Sequence, residues 1–202
     1  MIRLPRDTLV LATHNRGKLE EIAALLQPYP VILRSAADLG LAEPDETESS
    51  FVGNARIKAH AAARASGLAA LADDSGLCVD ALGGAPGVYT ADWAETARGR
   101  DFDMAMARVW AAVEDANAPL PRRAEFRCTL VLAWPDGQDC VYEGVMSGHL
   151  VWPPRGDQGH GFDPMFQPDG HTETCGELDR WEKNRISHRG RAFVKFVEDC
   201  FT

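Results

Sequence analysis

The sequence lacks any long hydrophobic run. None of its apolar stretches approaches the ~18 consecutive residues that a membrane-spanning helix requires. Residues 1–7 also lack the apolar segment and the small-residue cleavage site that mark a secretory signal. These absences argue against a membrane partner and against export. We therefore expect a cytoplasmic protein whose 202 residues form one domain with room for two lobes.

Cysteine is scarce and irregularly placed. The five cysteines are odd in number and include no Cys-x-x-Cys pair, so their spacing argues against a zinc site and against a disulfide framework. We expect reduced thiols that mostly pack in the interior. The positions are Cys78, Cys128, Cys140, Cys175 and Cys200.

Positive charge is also in short supply. Lysine and arginine total 21 against 30 aspartates and glutamates, which gives a formal net charge of −9. Proteins that bind DNA or RNA non-specifically present a basic stripe, so a nucleic-acid partner is not expected. A small anionic substrate remains open, provided that a metal ion or a local group of cations offsets the charge.

The hydrophobic pattern predicts helices and strands that interleave along the chain. The predicted strands lie at 8–13, 31–33, 68–72, 77–79, 126–134 and 140–151. The predicted helices lie at 18–27, 50–65, 101–114 and 189–201. The turn at 135–137 predicts a hairpin with antiparallel pairing. We therefore expect an α/β fold with a mixed sheet.

The first candidate functional segment, Thr13-His14-Asn15-Arg16-Gly17-Lys18, joins a predicted strand to a predicted helix. Backbone N–H groups at a helix start attract anions, and Lys18 adds positive charge there. The segment is not a P-loop, which would need Gly at position 12 and Ser or Thr at position 19, where this chain has Ala12 and Leu19. The alternative is a plain turn capped by Asn15.

The second candidate is Glu46-Thr47 followed by a helix that carries Phe51, Asn54 and Lys58 three to four residues apart. This spacing places an amide and an ammonium on one helical face, which a packed alanine-rich face would normally avoid. The alternative is a solvated face with Phe51 buried at its edge.

The third candidate follows the apolar run 68–72, where the adjacent carboxylates Asp73 and Asp74 precede Ser75-Gly76. Two like charges beside a buried strand repel each other and resist desolvation. A carboxylate pair at a strand end is a common way to bind Mg²⁺, which takes oxygen ligands and retains several waters. The alternative is a turn capped by Asp73.

The fourth candidate is His160-Gly161-Phe162-Asp163-Pro164, within a Gly- and Pro-rich loop at 152–171 that is too long to be only a connector. An aromatic ring beside an acceptor can stack on a nucleobase and hydrogen-bond its edge. The alternative is that Phe162 fills the core.

The last candidate is the cation-rich segment 182–189, which contains Lys183, Arg185, His188 and Arg189. The alternative is a solvated face that balances nearby carboxylates. Taken together, the five candidates combine an anion-binding loop, metal-binding carboxylates, an aromatic with an acceptor and a basic cluster. That combination is what a nucleoside triphosphate bound with Mg²⁺ requires.

With these segments the sequence resembles the inosine triphosphate pyrophosphatase (Ham1-like) family. The matching stretches, in family order and across nearly the whole chain, are Thr13-x-Asn15-x-x-Lys18, Glu46-Thr47-x-x-x-Phe51-x-x-Asn54-Ala55-x-x-Lys58-Ala59, Ala72-Asp73-Asp74-Ser75-Gly76-Leu77, Leu82-Gly83-Gly84-Ala85-Pro86-Gly87-Val88-Tyr89, Gly161-Phe162-Asp163-Pro164-Met165-Phe166 and Lys183-Asn184-x-x-Ser187-His188-Arg189.

The resemblance implies that residues 1–202 form a single pyrophosphatase domain with an elongated mixed sheet, two lobes and an active cleft between them. It implies a homodimer. It also implies that inosine, deoxyinosine and xanthosine triphosphates are cleaved between the α- and β-phosphates with Mg²⁺ present, which removes them from the nucleotide pool.

Site roles follow from the same resemblance. Asp74 corresponds to the general base, and Glu46 with Asp74 corresponds to the metal-binding pair. Lys58 corresponds to a phosphate contact, and the segment 160–163 to part of the base-binding set. The residues implied to contact the substrate are Thr13, His14, Asn15, Arg16, Gly17, Lys18, Lys58, Ser75, His160, Gly161, Phe162, Asp163, Lys183, His188 and Arg189.

The chain departs from the family pattern at three positions. Gly53 stands where the family usually has Glu, His160 replaces the usual Phe, and Phe162 replaces Tyr or Trp. Two other functions remain open: a pyrophosphatase that prefers another base, and a nucleotide sensor that does not hydrolyse its ligand.

Overall fold

A computed structural model describes residues 8–201, except for the side chain of Arg16. The expected lack of a signal segment concerns residues 1–7, which lie outside the described residues. Within the described range the chain forms eight strands and five α-helices. The strands are β1 (Thr8–Leu11), β2 (Ile32–Ser35), β3 (Ala69–Val79), β4 (Glu95–Thr96), β5 (Gly99–Arg100), β6 (Arg122–Ala133), β7 (Asp139–Leu150) and β8 (Phe166–Pro168). The helices are α1 (Arg16–Leu26), α2 (Phe51–Ser66), α3 (Phe102–Asp115), α4 (Arg180–Ile186) and α5 (His188–Phe201).

Six of the strands form one sheet in the order β2-β1-β3-β6-β7-β8, and β4 pairs with β5 in a second, two-stranded sheet. Strand β1 is parallel to both β2 and β3, whereas β7 and β8 are antiparallel. The predicted mixed sheet and α/β class are therefore confirmed. In the part of the chain that is described, no helix combines the length and apolar character needed to cross a membrane.

The chain divides into two compact units, which agrees with the expectation of two lobes. Unit 1 consists of residues up to 74, 128–144 and residues from 189 onward, and unit 2 consists of 75–127 and 145–188. Because β3, β6 and β7 each contribute residues to both units, the division falls within strands rather than at a linker.

Unit 1 packs its buried side chains in two groups. One group is built from large residues of β1, β3, α1 and α5, including Leu11, Leu71 and Phe196. The other joins the alanines of α2, such as Ala59, to small residues of β1 and β3. An alanine-rich helical face lets the helix backbone approach the strands closely, which explains why α2 is rich in alanine without being a solvated helix.

Unit 2 has an aromatic core. Phe162, Phe166 and Met165 come from the long loop region and pack with Phe126 of β6 and with Val109 of α3. The segment 152–171 is therefore not a surface connector, because it supplies much of the apolar volume of this unit. It also contains β8, which the sequence pattern did not predict.

Local signals explain where the helices begin and end. Ser50 caps α2 by accepting from the N–H of Gly53 at 3.1 Å, and Gly67 ends the helix in the left-handed conformation at φ 67°. Asn15 caps α1, and Asp179 caps the short helix α4. These ends agree with the sequence for α1 and α2, whereas α4 was not predicted.

The largest correction concerns β3. The sequence predicted two strands separated by a turn, with Asp73 and Asp74 at a strand end, but the structure has one continuous strand over Ala69–Val79. Both carboxylates lie in its interior and are buried. The alternative of a turn capped by Asp73 is therefore also wrong. A strand can carry such charges only where cations from elsewhere in the fold reach them.

Candidate active site

The loop after β1 is held by its own side chains. Asn15 Oδ1 accepts from the N–H of Lys18 at 3.1 Å, and Thr13 Oγ1 accepts from the N–H of Asn15 at 3.1 Å. The imidazole of His14 lies 3.2 Å from the carbonyl oxygen of Leu41. The cap predicted from sequence is therefore present. It does not exclude an anion-binding role, because Lys18 emerges from the first turn of α1.

Asp73 and Asp74 avoid direct opposition because consecutive side chains of a strand point to opposite faces. Asp73 contacts Lys18 and Arg189, whereas Asp74 faces Lys58 of α2. Each carboxylate therefore has its own cationic partner. This arrangement explains how two adjacent acids are tolerated inside a buried strand.

Asp73 is enclosed by donors. Its Oδ1 forms an ion pair with Lys18 Nζ, and its Oδ2 accepts from Arg189 Nε at 3.0 Å and from Cys128 Sγ at 3.0 Å. Burial alone would raise the pKa of this carboxyl, but the charges of Arg189 and Lys18 outweigh burial and hold its pKa well below the usual range. Asp73 is therefore ionised at neutral pH.

Arg189 is held from a second side by Glu21 of α1, whose carboxylate pairs with its guanidinium. Both side chains are buried. Burial lowers the pKa of Arg189, and Asp73 and Glu21 then raise it beyond its ordinary value. The sequence analysis missed Glu21. The available signal was its position three residues after Lys18, which places both side chains on one face of α1.

Asp74 sits in a different environment. Its Oδ1 lies 3.5 Å from Lys58 Nζ, and Lys58 also pairs with Glu46. Burial raises the pKa of Asp74, Lys58 and Lys18 partly offset that effect, and the result is a pKa of about 6. The other oxygen, Oδ2, is buried and has no hydrogen-bond partner among the described residues. A carboxylate with a pKa near neutrality and an unoccupied oxygen is suited to accept a proton or to bind a cation.

The same group fits a magnesium ion. Glu46 and Asp74 both contact the ammonium of Lys58, so the two carboxylates lie close together. Within residues 8–201 no cluster of three or more metal-binding side chains occurs. Two carboxylates suffice for Mg²⁺, however, because it usually completes its coordination with water and substrate phosphates. The buried Oδ2 of Asp74 is the observation that favours this ion most directly.

The buried face of α2 explains how Glu46 is placed. Asn54 is buried and its Oδ1 accepts from the N–H of Glu48 at 2.9 Å, which ties the loop carrying Glu46 to the helix. Lys58, one turn later, is buried as well. The alternative of a solvated face is therefore wrong. A Cβ at Gly53 would lie 2.5 Å from Glu48 Cβ, so a side chain at this position would displace the same loop.

Unit 2 contains a buried ion pair of its own. Asp163 Oδ2 accepts from Lys183 Nζ at 2.6 Å and from the N–H of His160 at 2.6 Å. A Cβ at Gly159 would collide with the same carboxylate, and Gly159 also has φ 80°, so this turn requires glycine. Two of the predicted segments, 160–164 and 182–189, are therefore joined by one carboxylate.

Phe162 is fully buried and packs edge-on against Phe102 with 5.7 Å between ring centroids. This placement favours the alternative that its ring fills the core, and a base-stacking role for Phe162 stays a prediction. His188 stacks on Phe126, a residue that the sequence analysis did not select, at 5.0 Å and 17° between ring planes. Ser75 is half-buried in β3.

The cation-rich segment 182–189 has two kinds of member. Arg185 is exposed and pairs with Glu182 at 2.6 Å, as the alternative of a solvated face predicted. Lys183, His188 and Arg189 are buried. Burying a potential cation is costly unless it has a partner, so the alternative of a solvated face does not hold for these three residues.

Comparisons with known proteins show which family this chain is similar to. Residues 9–199 match the model of the Ham1 family. A dITP/XTP pyrophosphatase from Ruegeria pomeroyi is 68% identical over 195 residues, which cover 96% of each chain. One from Rhodospirillum centenum is 54% identical over 199 residues, covering 98% of this chain and 97% of the relative.

Solved structures show the same relationship. A HAM1 protein from Coxiella burnetii has a TM-score of 0.88 at 37% identity, covering 95% of this chain and 97% of that one. A nucleoside-triphosphatase, dITP/XTP pyrophosphatase, from Mycobacterium abscessus has a TM-score of 0.75 at 38% identity, covering 94% and 98%. The resemblance predicted from the motifs is confirmed, and the chain belongs to the Ham1 family.

Proposed function

We propose that this protein hydrolyses the non-canonical purine nucleoside triphosphates ITP, dITP and XTP to the nucleoside monophosphate and pyrophosphate, and so removes them from the nucleotide pool. Relatives that match almost the whole chain are dITP/XTP pyrophosphatases. The observation that carries the proposal is Asp74, a buried carboxyl with a pKa of about 6 that faces Lys58. We propose residues 1–202 as one catalytic domain.

The groups proposed for the triphosphate come from β3, α1, α2 and the loop before α2. Asp74 accepts the proton of the attacking water, and Lys58 and Lys18 offer ammonium groups to the phosphate oxygens. Glu46 and Asp74 would hold Mg²⁺, which when bound would neutralise phosphate charge. Phosphoryl chemistry leaves little covalent work for a protein, so fixed cations and an aligned base account for most of the expected rate. We propose cleavage between the α- and β-phosphates.

The groups proposed for the purine base come from α4, the start of α5 and the segment 160–163. Lys183 donates from a position fixed by Asp163, and His188 presents a ring held flat by Phe126. We propose that these residues, with the backbone of 160–163, recognise the purine edge. Ser75, and the loop formed by Thr13, His14, Asn15, Arg16 and Gly17, are proposed as further substrate contacts.

The direct test is to mix the purified protein with ITP and Mg²⁺ and to measure pyrophosphate. Stoichiometric release of inosine monophosphate and pyrophosphate is the expected result. A nucleotide sensor would bind ITP without releasing pyrophosphate. A pyrophosphatase for another base would release pyrophosphate faster from a different nucleoside triphosphate, so a panel of triphosphates should be measured with ITP.

Turnover is expected to require a divalent cation. Removal of Mg²⁺ with excess chelator should reduce pyrophosphate release to background, because Glu46 and Asp74 alone would repel the triphosphate. Re-addition of Mg²⁺ should restore the rate, which controls for damage by the chelator. Undiminished turnover in chelator would refute the metal requirement.

Metal affinity should weaken as the pH falls through about 6. Because Asp74 must lose its proton to bind a cation, protons and Mg²⁺ compete for it below its pKa of about 6. Titration calorimetry should show the apparent Kd for Mg²⁺ rising about tenfold per pH unit from pH 5.5 downward and changing little above pH 7. A flat profile from pH 5 to 8 would contradict the assignment of Asp74 as a ligand.

We further propose a cytoplasmic homodimer that does not bind nucleic acid. The five cysteines all lie within the described range and are all free thiols, which fits a reducing compartment. The net charge of −9 disfavours polyanions other than a metal-bound nucleotide. Light scattering on the eluted protein should give twice the mass of 22.0 kDa.

A further inference from the structure

Asp73 has no solvent-exposed side-chain surface, yet it contacts two cations that come from distant parts of the sequence. Lys18, in the first turn of α1, pairs with Oδ1 of Asp73, whereas Arg189, in the first turn of α5, donates to Oδ2 at 3.0 Å. Cys128 of β6 donates to Oδ2 as well. One carboxylate in the middle of β3 therefore joins the starts of two helices.

We propose that Asp73 is a positioning residue that fixes Lys18 and Arg189 in one geometry for the substrate. The inference rests on the proposed function of the site. Because Asp73 itself has no exposed surface, it does not touch the nucleotide and acts through its two partners. Lys18 retains 21% of its side-chain surface exposed, so this side chain is within reach of the substrate while Asp73 holds it.

Two physical roles of Asp73 predict opposite effects on phosphate binding. If its negative charge mainly repels the substrate, then removing that charge should strengthen the binding of a polyanion. If it mainly orders a flexible lysine and a buried arginine, removing it should weaken binding, since pre-aligned donors bind better than mobile ones. The burial of the carboxylate and its pairing at both oxygens favour the second role.

The test is a double-mutant cycle of Asp73→Asn and Lys18→Met. Asp73→Asn alone should lower kcat/KM for ITP by about 10- to 100-fold, because misplacement of a contact by about 1 Å has effects of this size. In the Lys18→Met background the same change should cost no more than about threefold, since its main target is already absent. Equal losses in both backgrounds would overturn the proposal.

A second readout needs no turnover. Binding of inorganic tripolyphosphate, measured by calorimetry, should weaken on Asp73→Asn in the Lys18 protein and change little in the Lys18→Met protein. Tighter binding of tripolyphosphate would show that Asp73 acts by charge repulsion and would overturn the positioning role. If the unmodified protein binds tripolyphosphate but hydrolyses no nucleotide, the proposed function fails while this cycle still tests Asp73.

Loss of Asp73 leaves Lys18 and the buried Arg189 without this carboxylate, so folding must be measured alongside binding. Thermal midpoints of all four proteins identify any variant that is unfolded at the assay temperature, and the tripolyphosphate cycle is then run below its midpoint. Thr129→Val, which removes another buried polar group of unit 1 at nearly constant volume, is the matched control and should leave tripolyphosphate binding unchanged.

Discussion

Asp74→Asn is expected to abolish turnover of ITP while making the metal-free protein more stable. The substitution removes the proposed base and metal ligand at nearly constant volume, and loss of such a group typically lowers the rate by ~10² or more. An amide cannot be charged, so it also removes the cost of burying an ionised carboxyl. Activity and stability should therefore change in opposite directions.

The direction of the stability change follows from the pKa of Asp74. Asp74 has a pKa of about 6 in the folded chain against an ordinary 3.8, so the folded state binds this proton more tightly than the unfolded state. Above pH 6 the ionised group destabilises the fold by up to about 3 kcal/mol, and below about pH 4 the effect vanishes. In chelator, the free energy of unfolding of Asp74→Asn should exceed that of the unmodified protein at pH 8, and the difference should disappear at pH 4.

Asp139→Asn is the matched control in the same unit. Asp139 accepts two hydrogen bonds from Arg56, at 3.0 and 3.1 Å, and lies 2.9 Å from His60 Nε2. Burial raises the pKa of Asp139, but these partners outweigh burial and lower the pKa below its ordinary value. Replacement of Asp139 should therefore destabilise the fold at neutral pH and leave turnover intact. If purified, folded Asp74→Asn hydrolyses ITP within a few-fold of the parent protein, the role assigned to Asp74 is wrong.

Local patterns predicted most of the fold. Helices α1, α2, α3 and α5 follow apolar spacing and capping residues, and these are properties of neighbouring residues in the chain. Strand β3 was divided incorrectly because Asp73 and Asp74 resemble the polar end of a strand. Their cations come from residues 18, 58 and 189, and no local pattern shows that such distant groups converge.

The candidate site shows the same limit. The family resemblance implied that Glu46, Lys58 and Asp74 act as a group, and the structure places them together. It did not identify Glu21 or Cys128, because each acts through a partner on another element. Nor did it separate the buried Lys183 from the exposed Arg185, which are only two residues apart on a helix too short to show clear periodicity.

Base selectivity is the second large effect expected. Hypoxanthine and xanthine carry a keto oxygen at C6, where adenine presents an amino donor. A buried donor aimed at C6 donates a hydrogen bond to the keto oxygen of hypoxanthine or xanthine. Against adenine the same donor meets the amino group, which is also a donor, so no hydrogen bond forms. Guanine shares the keto oxygen but adds an amino group at C2, so a donor or a close wall near C2 must reject it. Xanthine carries a keto group at C2, and a hydrogen-bond donor near C2 would bind that group whereas a close wall would not. The acceptance of xanthine therefore favours a donor at this position.

Among the buried donors, Lys183 gives the cleanest test of this selectivity. Arg189→Ala would leave Asp73 and Glu21 as buried carboxylates without their shared cation, so its effects on folding and on binding would be mixed. Removal of Lys183 also leaves a buried carboxylate, but Asp163 keeps the hydrogen bond from the N–H of His160. The thermal midpoint of Lys183→Met must therefore be measured alongside its selectivity.

The unmodified protein should therefore prefer ITP and XTP over ATP and GTP by ~10⁴ in kcat/KM, because a site that leaves a buried polar group unpaired discriminates on this scale. Lys183→Met should narrow the ITP-to-ATP ratio by about tenfold or more. Arg185→Met, which removes an exposed cation from the same helix, should leave the ratio unchanged. If Lys183→Met keeps the full preference for ITP, the selectivity lies elsewhere, and the backbone groups of 160–163 become the next candidates.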